Sequence, residues 1–566
     1  MKREKELVNS FYRNNHISYI CGIIFTILRG LAYIFMSYLA GAMVDEMTKP
    51  NGGSMMRFIL PITLGILSIA LIGTLMFVSR SIFIHKGMAQ FKDHVFEKVT
   101  QKSFRAFSKE NTGRYLSVLS NDMSKIEENY LNGSFALLYC AITFTASLFM
   151  VFKIDWHLAL FLIISGLLPL VVTAFMSNKI ASVEKSVSDE NESFMAQLKD
   201  LLAGFSVIKS YKVEKQGITL FSKVNHEVEQ KKRKYRTMVG SLDAVGDGLS
   251  FIMQSGTFIY GGYLVLNGTI TAGSVLAVVS LSNYIFQPLS AAPQYWAGYC
   301  SAKKLISKIC NIIGENEDEK TGVMIKDGRD IDLCNLAFAY DDGNDVLKGI
   351  SCHFEKGKKY ALIGSSGSGK STLLNLLMGA FGTYQGSATI DHTEIKEINS
   401  DSLFDKVDLI DQNVFLFDAS IEDNITMFKQ VDKNTLQEAI HKAGLDELVA
   451  KKGLDFKCGE NGHNLSGGEK QRISIARSLV KGTPILLLDE ITSALDKKTA
   501  HEVNKAIIGL DNVMCIEITH RLDKDTLSDF DELLVMKDGM IKETGTFDEL
   551  YNNKDYFYSL YTVAGD

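Results

Sequence analysis

The sequence predicts two domains of different fold class. The first half reads as an all-α domain of six membrane-spanning helices, and the second half reads as an α/β domain built around a phosphate-binding loop. Three observations predict this division: six long apolar runs lie before residue 300, short β-rich runs alternate with helical stretches after residue 331, and a glycine-rich loop follows one of those runs. We place the domains at residues 1–320 and 331–566.

Averages over the 566 residues conceal this division. Hydrophobic residues make up 46% of the chain, charged residues 22%, and the formal charge is −6, while the mean hydropathy is +0.06. This composition excludes a disordered or collagen-like chain. With no basic excess, nucleic acid is not an expected partner. The position of the apolar residues is therefore more informative than their total.

Each of the six apolar runs carries at most one formal charge. They predict membrane helices at about residues 17–44, 58–84, 134–152, 156–177, 244–266 and 272–298. A helix needs about 20 residues to cross a hydrocarbon core of about 30 Å, and helices satisfy their own backbone hydrogen bonds there. Buried helices of a large soluble protein are the weaker alternative. A cleaved signal peptide at residues 1–42 is disfavoured because the run is too long and contains Arg29.

Basic residues set the predicted topology. Lysine and arginine concentrate in the connections 85–133 and 178–243, whereas the three short connections are nearly free of them. By the positive-inside rule, the N-terminus, both long connections and the chain after the sixth run lie in the cytoplasm. Both long connections lack proline, and structureless loops of that length are rare. We therefore expect the membrane helices to continue through these connections, with short turns at their tips.

The second half contains a loop suited to phosphate. Residues 364–371 read GSSGSGKS, between the apolar strand KKYALI and the helical stretch STLLNLLMG, which is the context that a phosphate-binding loop requires. Gly364, Gly367 and Gly369 allow backbone N–H groups to face phosphate oxygens at the N-terminus of a helix. Lys370 is expected to reach the β- and γ-phosphates, and Ser371 to bind Mg²⁺.

Two carboxylates follow a second apolar strand. In PILLLDE, Asp489 ends the strand and is expected to hold Mg²⁺ through water, and Glu490 is placed to polarise an attacking water. A lone DE pair is usually a surface turn, but here it follows a buried strand in a domain that has a phosphate loop. Between the two sites, Ser466, Gly467 and Gly468 open a helix and offer N–H groups to a phosphate.

The full set of motifs resembles the nucleotide-binding domain of ATP-binding cassette (ABC) transporters in order and spacing. The matching segments are FAY ending at Tyr340 (A-loop), GSSGSGKST (Walker A), Gln412 in DQNVFLF (Q-loop), GENG at 459–462 (X-loop), LSGGE (signature), ILLLDE (Walker B), SALD ending at Asp496 (D-loop) and ITHRL with His520 (H-loop). The first half is similar to the exporter-type six-helix domain, since FRAFSKENTGRYLSVLSNDMSKIEE and LLAGFSVIKSYKVE resemble its two cytoplasmic loops. The resemblance covers nearly the whole chain.

This resemblance implies an ATPase site that uses ATP and Mg²⁺. Tyr340 would stack on adenine, Glu490 would be the catalytic base and His520 would contact the γ-phosphate. Gln412 would approach the metal and the attacking water, and Asp496 would communicate across a dimer. The implied ATP contacts are Tyr340, Gly364, Ser365, Gly367, Ser368, Gly369, Lys370, Ser371 and Thr372; the Mg²⁺ ligands are Ser371, Gln412 and, through water, Asp489; the contacts to a second ATP are Leu465, Ser466, Gly467, Gly468 and Glu469; and the X-loop residue is Glu460.

The sequence departs from the family pattern at two positions. Glu469 replaces the usual glutamine of the signature, and because the phosphate contacts come from Ser466 and the glycine backbone, we expect the site to stay competent. Asn461 replaces the usual arginine of the X-loop, which leaves the contacts of that loop undetermined. Glu490 and His520 are both present, so nothing marks the chain as the degenerate partner of a heterodimer.

One cassette cannot complete an ATP site in this family, so the resemblance implies a half-transporter that pairs with itself or with a related subunit in a lipid bilayer. The expected function is ATP-driven export of a small molecule, lipid or peptide across the plasma (inner) membrane. The abundance of lysine, asparagine and isoleucine is typical of a low-GC bacterial genome. An exporter-fold importer of a siderophore or metal chelate, and an ATP-gated channel or regulator, stay open as alternatives. The sequence does not name the substrate.

One charge lies near the middle of an apolar run. Arg29 in a membrane helix costs about 3 kcal/mol on insertion scales, so it is expected to face a cavity or a partner. In one interpretation it attracts an anionic group of the substrate. In the other it pairs internally, with Asp247 or a backbone carbonyl. Arg29 is thus the candidate residue of a substrate cavity.

Overall fold

A computed structural model describes residues 2–49, 55–102, 112–314, 322–340, 345–491 and 497–565, together with residues 107 and 343. The chain divides into two compact units. The first contains Met1–Thr100 and Thr112–Gly314 and is helical, whereas Glu315–Asp566 belongs to the second, which combines sheets and helices.

The helical unit is built from long helices. Its helices are α1 (Lys2–Asn9), α2 (His16–Met47), α3 (Met56–Thr100), α4 (Thr112–Ser117), α5 (Met123–Ile126), α6 (Gly133–Ile154), α7 (Trp156–Ala203), α8 (Phe205–Ser210), α9 (Glu214–Leu266) and α10 (Ala272–Gly314). The π-helical turns Val118–Asp122 and Glu127–Asn132 join α4, α5 and α6 into one helical path. The polar connections of the sequence are therefore largely helical, as α3, α7 and α9 extend far beyond the apolar runs.

Five helical segments of the described chain are long and apolar enough to cross a membrane. They are His16–Met47, Met56–Thr100, Gly113–Ile154, Glu214–Leu266 and Ala272–Gly314. The fourth predicted run begins α7, where the apolar stretch Trp156–Pro169 qualifies only as a shorter apolar helix. Many large apolar side chains of these helices are exposed on the unit, among them Leu64, Leu67, Phe175 and Ile259. An apolar surface of this kind is suited to lipid.

Helices α2 and α10 meet closely at one end of the unit. A Cβ on Gly273 would overlap the carbonyl oxygen of Gly41, so glycine is required for this approach. Asp45 of α2 then caps the N-terminus of α10: its Oδ1 accepts a hydrogen bond from Gly273 N at 2.7 Å, and its Oδ2 accepts one from Thr271 Oγ1 at 2.7 Å. The cap fixes the two helices to each other where the glycines touch.

The second unit contains two sheets. Its strands are β1 (Ile331–Ala339), β2 (Asp345–Phe354), β3 (Lys359–Gly364), β4 (Gln385–Ile390), β5 (Thr393–Glu394), β6 (Val407–Ile410), β7 (Ile485–Asp489), β8 (Met514–Ile518), β9 (Glu532–Lys537) and β10 (Met540–Gly545). Its helices are α11 (Lys370–Leu377), α12 (Ser400–Lys406), α13 (Ile421–Thr426), α14 (Lys433–Lys442), α15 (Asp446–Lys452), α16 (Gly467–Lys481), α17 (Lys497–Ile508), α18 (Lys524–Leu527), α19 (Phe547–Asn553) and α20 (Tyr556–Gly565).

The larger sheet positions the phosphate loop. Its order is β10-β9-β3-β8-β7-β6, with parallel pairing from β9 through β6 and an antiparallel edge at β10. All six residues of β3 are buried, as expected for a central parallel strand. The first of the β-rich runs, IDLCNLAFAY at residues 331–340, does not join this parallel sheet. Its strand β1 lies in a separate antiparallel sheet of order β2-β1-β4-β5. Its run of apolar residues fits either kind of sheet, and periodicity alone did not separate them.

Candidate functional site

The phosphate loop connects β3 to α11. Gly367 and Gly369 have φ of 78° and 99°, which favours glycine at both positions. Lys370 begins α11 and turns back over the loop, where its Nζ donates hydrogen bonds to the carbonyl oxygens of Gly364 at 2.8 Å and Ser365 at 3.0 Å. Burial lowers the pKa of Lys370, and the nearby carboxylates oppose that shift. The amine of Lys370 is thus fixed against the phosphate loop, where it is expected to reach the β- and γ-phosphates.

Two hydroxyl groups of this loop fit a MgATP ligand. The Ser368 Oγ is buried and has no hydrogen-bond partner in the part of the chain that the structure describes, so it is available to a phosphate oxygen. The Ser371 hydroxyl lies near Asp489 and favours a lower pKa of that carboxyl, although burial has the larger effect and raises it. A hydroxyl and a carboxylate placed together are hard oxygen ligands of the kind that Mg²⁺ prefers. The donor set therefore matches the predicted cofactors.

Glu490 occupies an unusual backbone position at the end of β7. Its φ is 51°, in the left-handed region, and its amide donates to the carbonyl oxygen of Ile518 at 3.1 Å. The carboxylate is held on both sides: Oε2 accepts from Gln412 Nε2 at 2.7 Å, and Oε1 lies 2.8 Å from His520 Nε2. Left-handed non-glycine residues cluster at functional sites. The structure thus brings together the three predicted catalytic residues, which are far apart in sequence.

Two further residues lie close to predicted site residues, one near Asp489 and one near Tyr340, and were not themselves predicted. Burial, and secondarily the charge of Asp489, raise the pKa of Asp411, and burial likewise raises the pKa of Asp489. Two carboxylates near each other favour a bound cation. Asp411 directly follows β6, next to β7, so the rule that parallel strands end at a common edge would have found it. The second residue is Phe381, which lies edge-on to Tyr340 with centroids 5.7 Å apart.

Tyr340 keeps an open ring. Tyr340 is 44% exposed, and its hydroxyl oxygen lies 3.2 Å from Thr372 Oγ1. Phe338 and Phe381 contact it edge-on, leaving the tyrosine ring fixed next to the helix that carries Thr372. This is a suitable arrangement for stacking on a base.

The signature segment forms a capping box. Ser466 caps α16 by accepting from Glu469 N at 3.3 Å, and Glu469 Oε2 accepts from Ser466 N at 2.7 Å. Lys452 lies 3.9 Å from the other carboxylate oxygen of Glu469. The acidic substitution in the signature therefore has a local structural role. Leu465 is buried beneath the segment, while Ser466 is exposed.

The X-loop has a backbone reason for asparagine. Asn461 has φ of 50°, a left-handed conformation that asparagine tolerates better than most residues, and its carbonyl accepts from Lys470 Nζ at 2.7 Å. Glu460 beside it is exposed. The predicted D-loop residue, Asp496, lies outside the described residues.

Arg29 lies among neutral groups in the helical unit. Its guanidinium donates to Tyr33 Oη at 3.4 Å and to the Met76 sulfur at 3.9 Å, and it stands over the rings of Tyr33 and Phe77 at 5.7 and 5.2 Å. Asp247, the internal partner considered from sequence, is exposed and is not among these contacts.

Comparison with known proteins agrees with these features. Residues 19–289 match the family model described as the ABC transporter transmembrane region, and residues 347–493 match the model described as ABC transporter. The ATP-dependent lipid A-core flippase of Syntrophus aciditrophicus is 26% identical over 539 residues, covering 93% of this chain and 89% of the flippase. A Staphylococcus aureus protein named for multidrug export is 29% identical over 493 residues, covering 85% of this chain and 84% of its own.

A solved structure is similar over nearly the entire chain. A bacterial Atm1-family ABC exporter with ATP bound superposes with a TM-score of 0.86 at 22% identity, covering 97% of this chain and 99% of that one. Fold and site together define a multi-pass membrane protein with an ATP-hydrolysing domain, whose fold is the exporter type. The chain belongs to the ABC transporter family and couples ATP hydrolysis to transport.

Proposed function

We propose that this chain is one half of a dimeric exporter that binds and hydrolyses MgATP to move an amphiphilic small molecule, lipid or peptide out of a bacterial cell. The observation that carries the proposal is the placement of Glu490 between Gln412 and His520, near the phosphate loop. A carboxylate held at two oxygens is oriented before water arrives, which is what a general base requires. The names of the two relatives, a lipid flippase and a multidrug exporter, support the substrate class.

Each residue of the site has a proposed task. Backbone N–H groups of the phosphate loop and Lys370 bind the phosphates, while Ser371, Gln412 and Asp489 would hold Mg²⁺. When bound, the metal supplies charge neutralisation on the phosphate oxygens. Glu490 accepts a proton from the attacking water, and His520 keeps that carboxylate oriented.

The proposal of a dimer rests on the signature segment. In the part of the chain that the structure describes, the side-chain contacts of Ser466 and Glu469 stay within the signature segment and Lys452. The capping box uses the amides of Ser466 and Glu469, so the other N–H groups in the first turn of α16 are available to a further anion. We propose that this anion is the ATP bound by a second copy or a related subunit.

The test compares Glu490→Gln with the native chain in lipid nanodiscs. The variant is expected to bind ATP and to lose about 100-fold or more of the hydrolysis rate, because the amide cannot accept the proton. Glu422→Gln, an exposed glutamate of the same unit, is the matched control and should turn over normally. Normal hydrolysis by Glu490→Gln would refute the assigned role. Uptake of substrate into inverted vesicles, rather than into whole cells, would establish the outward direction.

A further inference from the structure

Two arginines of the helical unit share one neighbourhood. Arg29 of α2 contacts Met76 and stands over Phe77 of α3. Arg80 follows on α3 at the i+3 and i+4 positions from those residues, and therefore on the same helix face. It reaches back towards α2, since a Cβ on Gly22 would lie 3.3 Å from the Arg80 Cγ. Both arginines therefore lie where α2 packs against α3.

Among the described residues, the hydrogen-bond and ring partners of both guanidinium groups are neutral. Arg80 donates to Asn132 Oδ1 at 3.4 Å and stands 4.8 Å from the centre of the Phe135 ring. Arg29 donates to a tyrosine hydroxyl and a sulfur, and its Nε is buried with no hydrogen-bond partner in the described part of the chain. No carboxylate of the described residues pairs with either one. An arginine cannot lose its proton to escape this environment.

A cavity opens beside Arg80, and Arg29 stands over the ring of Phe77, which lies on the cavity wall. It has a volume of about 630 Å³ and is lined by Phe77, Arg80 and Asn132, with Ile84, Met88 and Lys92 further along α3. This volume lies in the usual range for a small-molecule site. Glu127 is also on its wall but makes no ion pair within the described chain. The wall thus combines an excess of positive charge with apolar side chains.

Tyrosines extend this polar region along the neighbouring helices. Tyr33 stacks on Tyr284 of α10 with centroids 5.9 Å apart. Tyr139 of α6 lies against α2, because a Cβ on Gly30 would be 3.9 Å from its ring. A tyrosine offers a hydroxyl to a polar group and a ring to an apolar one.

We propose that the cavity lined by Arg80, with Arg29 over the Phe77 ring of its wall, binds the acidic group of an anionic amphiphile, a phosphate or carboxylate joined to an apolar body. The proposal deepens the proposed transport function and rests on it for the assignment of this ligand as cargo. Like charges in an apolar segment are unfavourable without a counter-charge, and no described residue pairs a carboxylate with either arginine. The acidic group supplies that charge, and the aromatic and aliphatic wall receives the apolar body.

The test measures binding to the full chain in nanodiscs of a zwitterionic lipid, without ATP. The probes are dodecyl phosphate and dodecyltrimethylammonium, which share an apolar chain and differ in the sign of the head group. The native protein is expected to bind dodecyl phosphate at least about tenfold more tightly than dodecyltrimethylammonium. Arg29→Gln and Arg80→Gln should each weaken its binding by about tenfold, whereas Arg29→Lys and Arg80→Lys should bind more tightly than the glutamine variants because lysine keeps a positive charge that attracts phosphate. Lys153→Gln, at the far end of α6, is the matched control and should bind normally.

Each outcome decides a separate point. Equal binding of the two probes, or unchanged binding in both glutamine variants, would overturn the inference even if the chain hydrolyses ATP. Binding through the arginines by a chain without ATPase activity would overturn the transport proposal and keep this site. Nanodiscs that contain phosphatidate identify the source: stimulation of ATPase by phosphatidate and by dodecyl phosphate supports a lipid, and stimulation by dodecyl phosphate alone supports a free amphiphile.

Discussion

Two charged residues of the ATPase unit and two of the helical unit are stabilised in opposite ways. In the ATPase unit, Glu490 has a partner at each oxygen and Lys370 is held by two carbonyl groups. In the helical unit, Arg29 and Arg80 contact only neutral groups among the described residues. A charge with internal partners is oriented before its ligand arrives, whereas a cation without a counter-charge is complete only when a ligand is bound. The catalytic carboxylate is therefore oriented in advance in one unit, whereas the site proposed in the other unit would need its ligand for charge balance.

One residue of the ATPase unit departs from this pattern. Glu517 in β8 is 1% exposed, and neither of its carboxylate oxygens has a hydrogen-bond partner among the described residues. Burial raises the pKa of Glu517 to about 8, with the charge of Arg521 opposing the shift. A carboxyl group can become neutral by binding a proton, an option that arginine lacks. A buried ionisable group without an ion-pair partner can thus become neutral in the ATPase unit, whereas the two arginines of the helical unit stay charged.

The largest predicted effect concerns His520. If Glu490 is oriented by two partners, His520→Ala removes one of them, and turnover should fall by about 100-fold while ATP binding changes little. The measurement is the steady-state MgATPase rate of the reconstituted chain. The exposed His441, which contacts Asp446, is the matched control, and His441→Ala should be active. If His520→Ala kept most of the hydrolysis rate, orientation of Glu490 by His520 would not matter for catalysis, and the contrast between the two units would fail.

These distinctions show what the sequence alone could predict. Short-range patterns located the loop at 364–371, the strand that ends at Asp489 and the apolar runs, because those signals lie within one element. The pairing of Glu490 with Gln412 was not predictable from the residues themselves, since it joins side chains 78 positions apart. Arg80 is the single formal charge of the second apolar run. Its relation to Arg29 depends on how α2 and α3 pack.

Local geometry also escaped the sequence. The motif comparison marked Asn461 as a departure, and the structure gives it a left-handed backbone that no pattern of hydrophobicity reports. Glu517 lies in the apolar strand MCIEI, where an isolated glutamate looks like a solvent-facing residue. Only the neighbouring strands β3 and β7, which pair with β8 on both sides, show that it is buried.

An intermediate effect is predicted for the pH dependence of stability. The folded pKa of Glu517 is about 8, above its ordinary value of 4.5. Its contribution to stability is therefore complete below about pH 4.5 and is lost as the pH rises through about 8. Glu517→Gln stays neutral, so native chain and variant should unfold at similar temperatures near pH 5, and the variant should be more stable near pH 9, by several kcal/mol at most.

Thermal unfolding of the full chain across this pH range checks the prediction. Glu447→Gln, at an exposed position of the same unit, is the control and should follow the native curve at every pH. Parallel curves for Glu517→Gln and the native chain would contradict a buried, neutral carboxyl group. In that case Glu517 would have a charged partner, and the ATPase unit would have no exception.

The smallest effect is predicted at the signature. Glu469→Gln should change the ATPase rate by no more than about twofold, because glutamine at this position also completes a capping box. The carboxylate bonds to Ser466 N and faces Lys452, so its charge is already compensated within the segment. Ser466→Ala provides the contrast: it removes the cap, at about 1 kcal/mol, together with the proposed phosphate contact. A several-fold faster Glu469→Gln enzyme would mean that the negative charge reaches the nucleotide in spite of these contacts, and that internal partners do not isolate a charge even in the preformed unit.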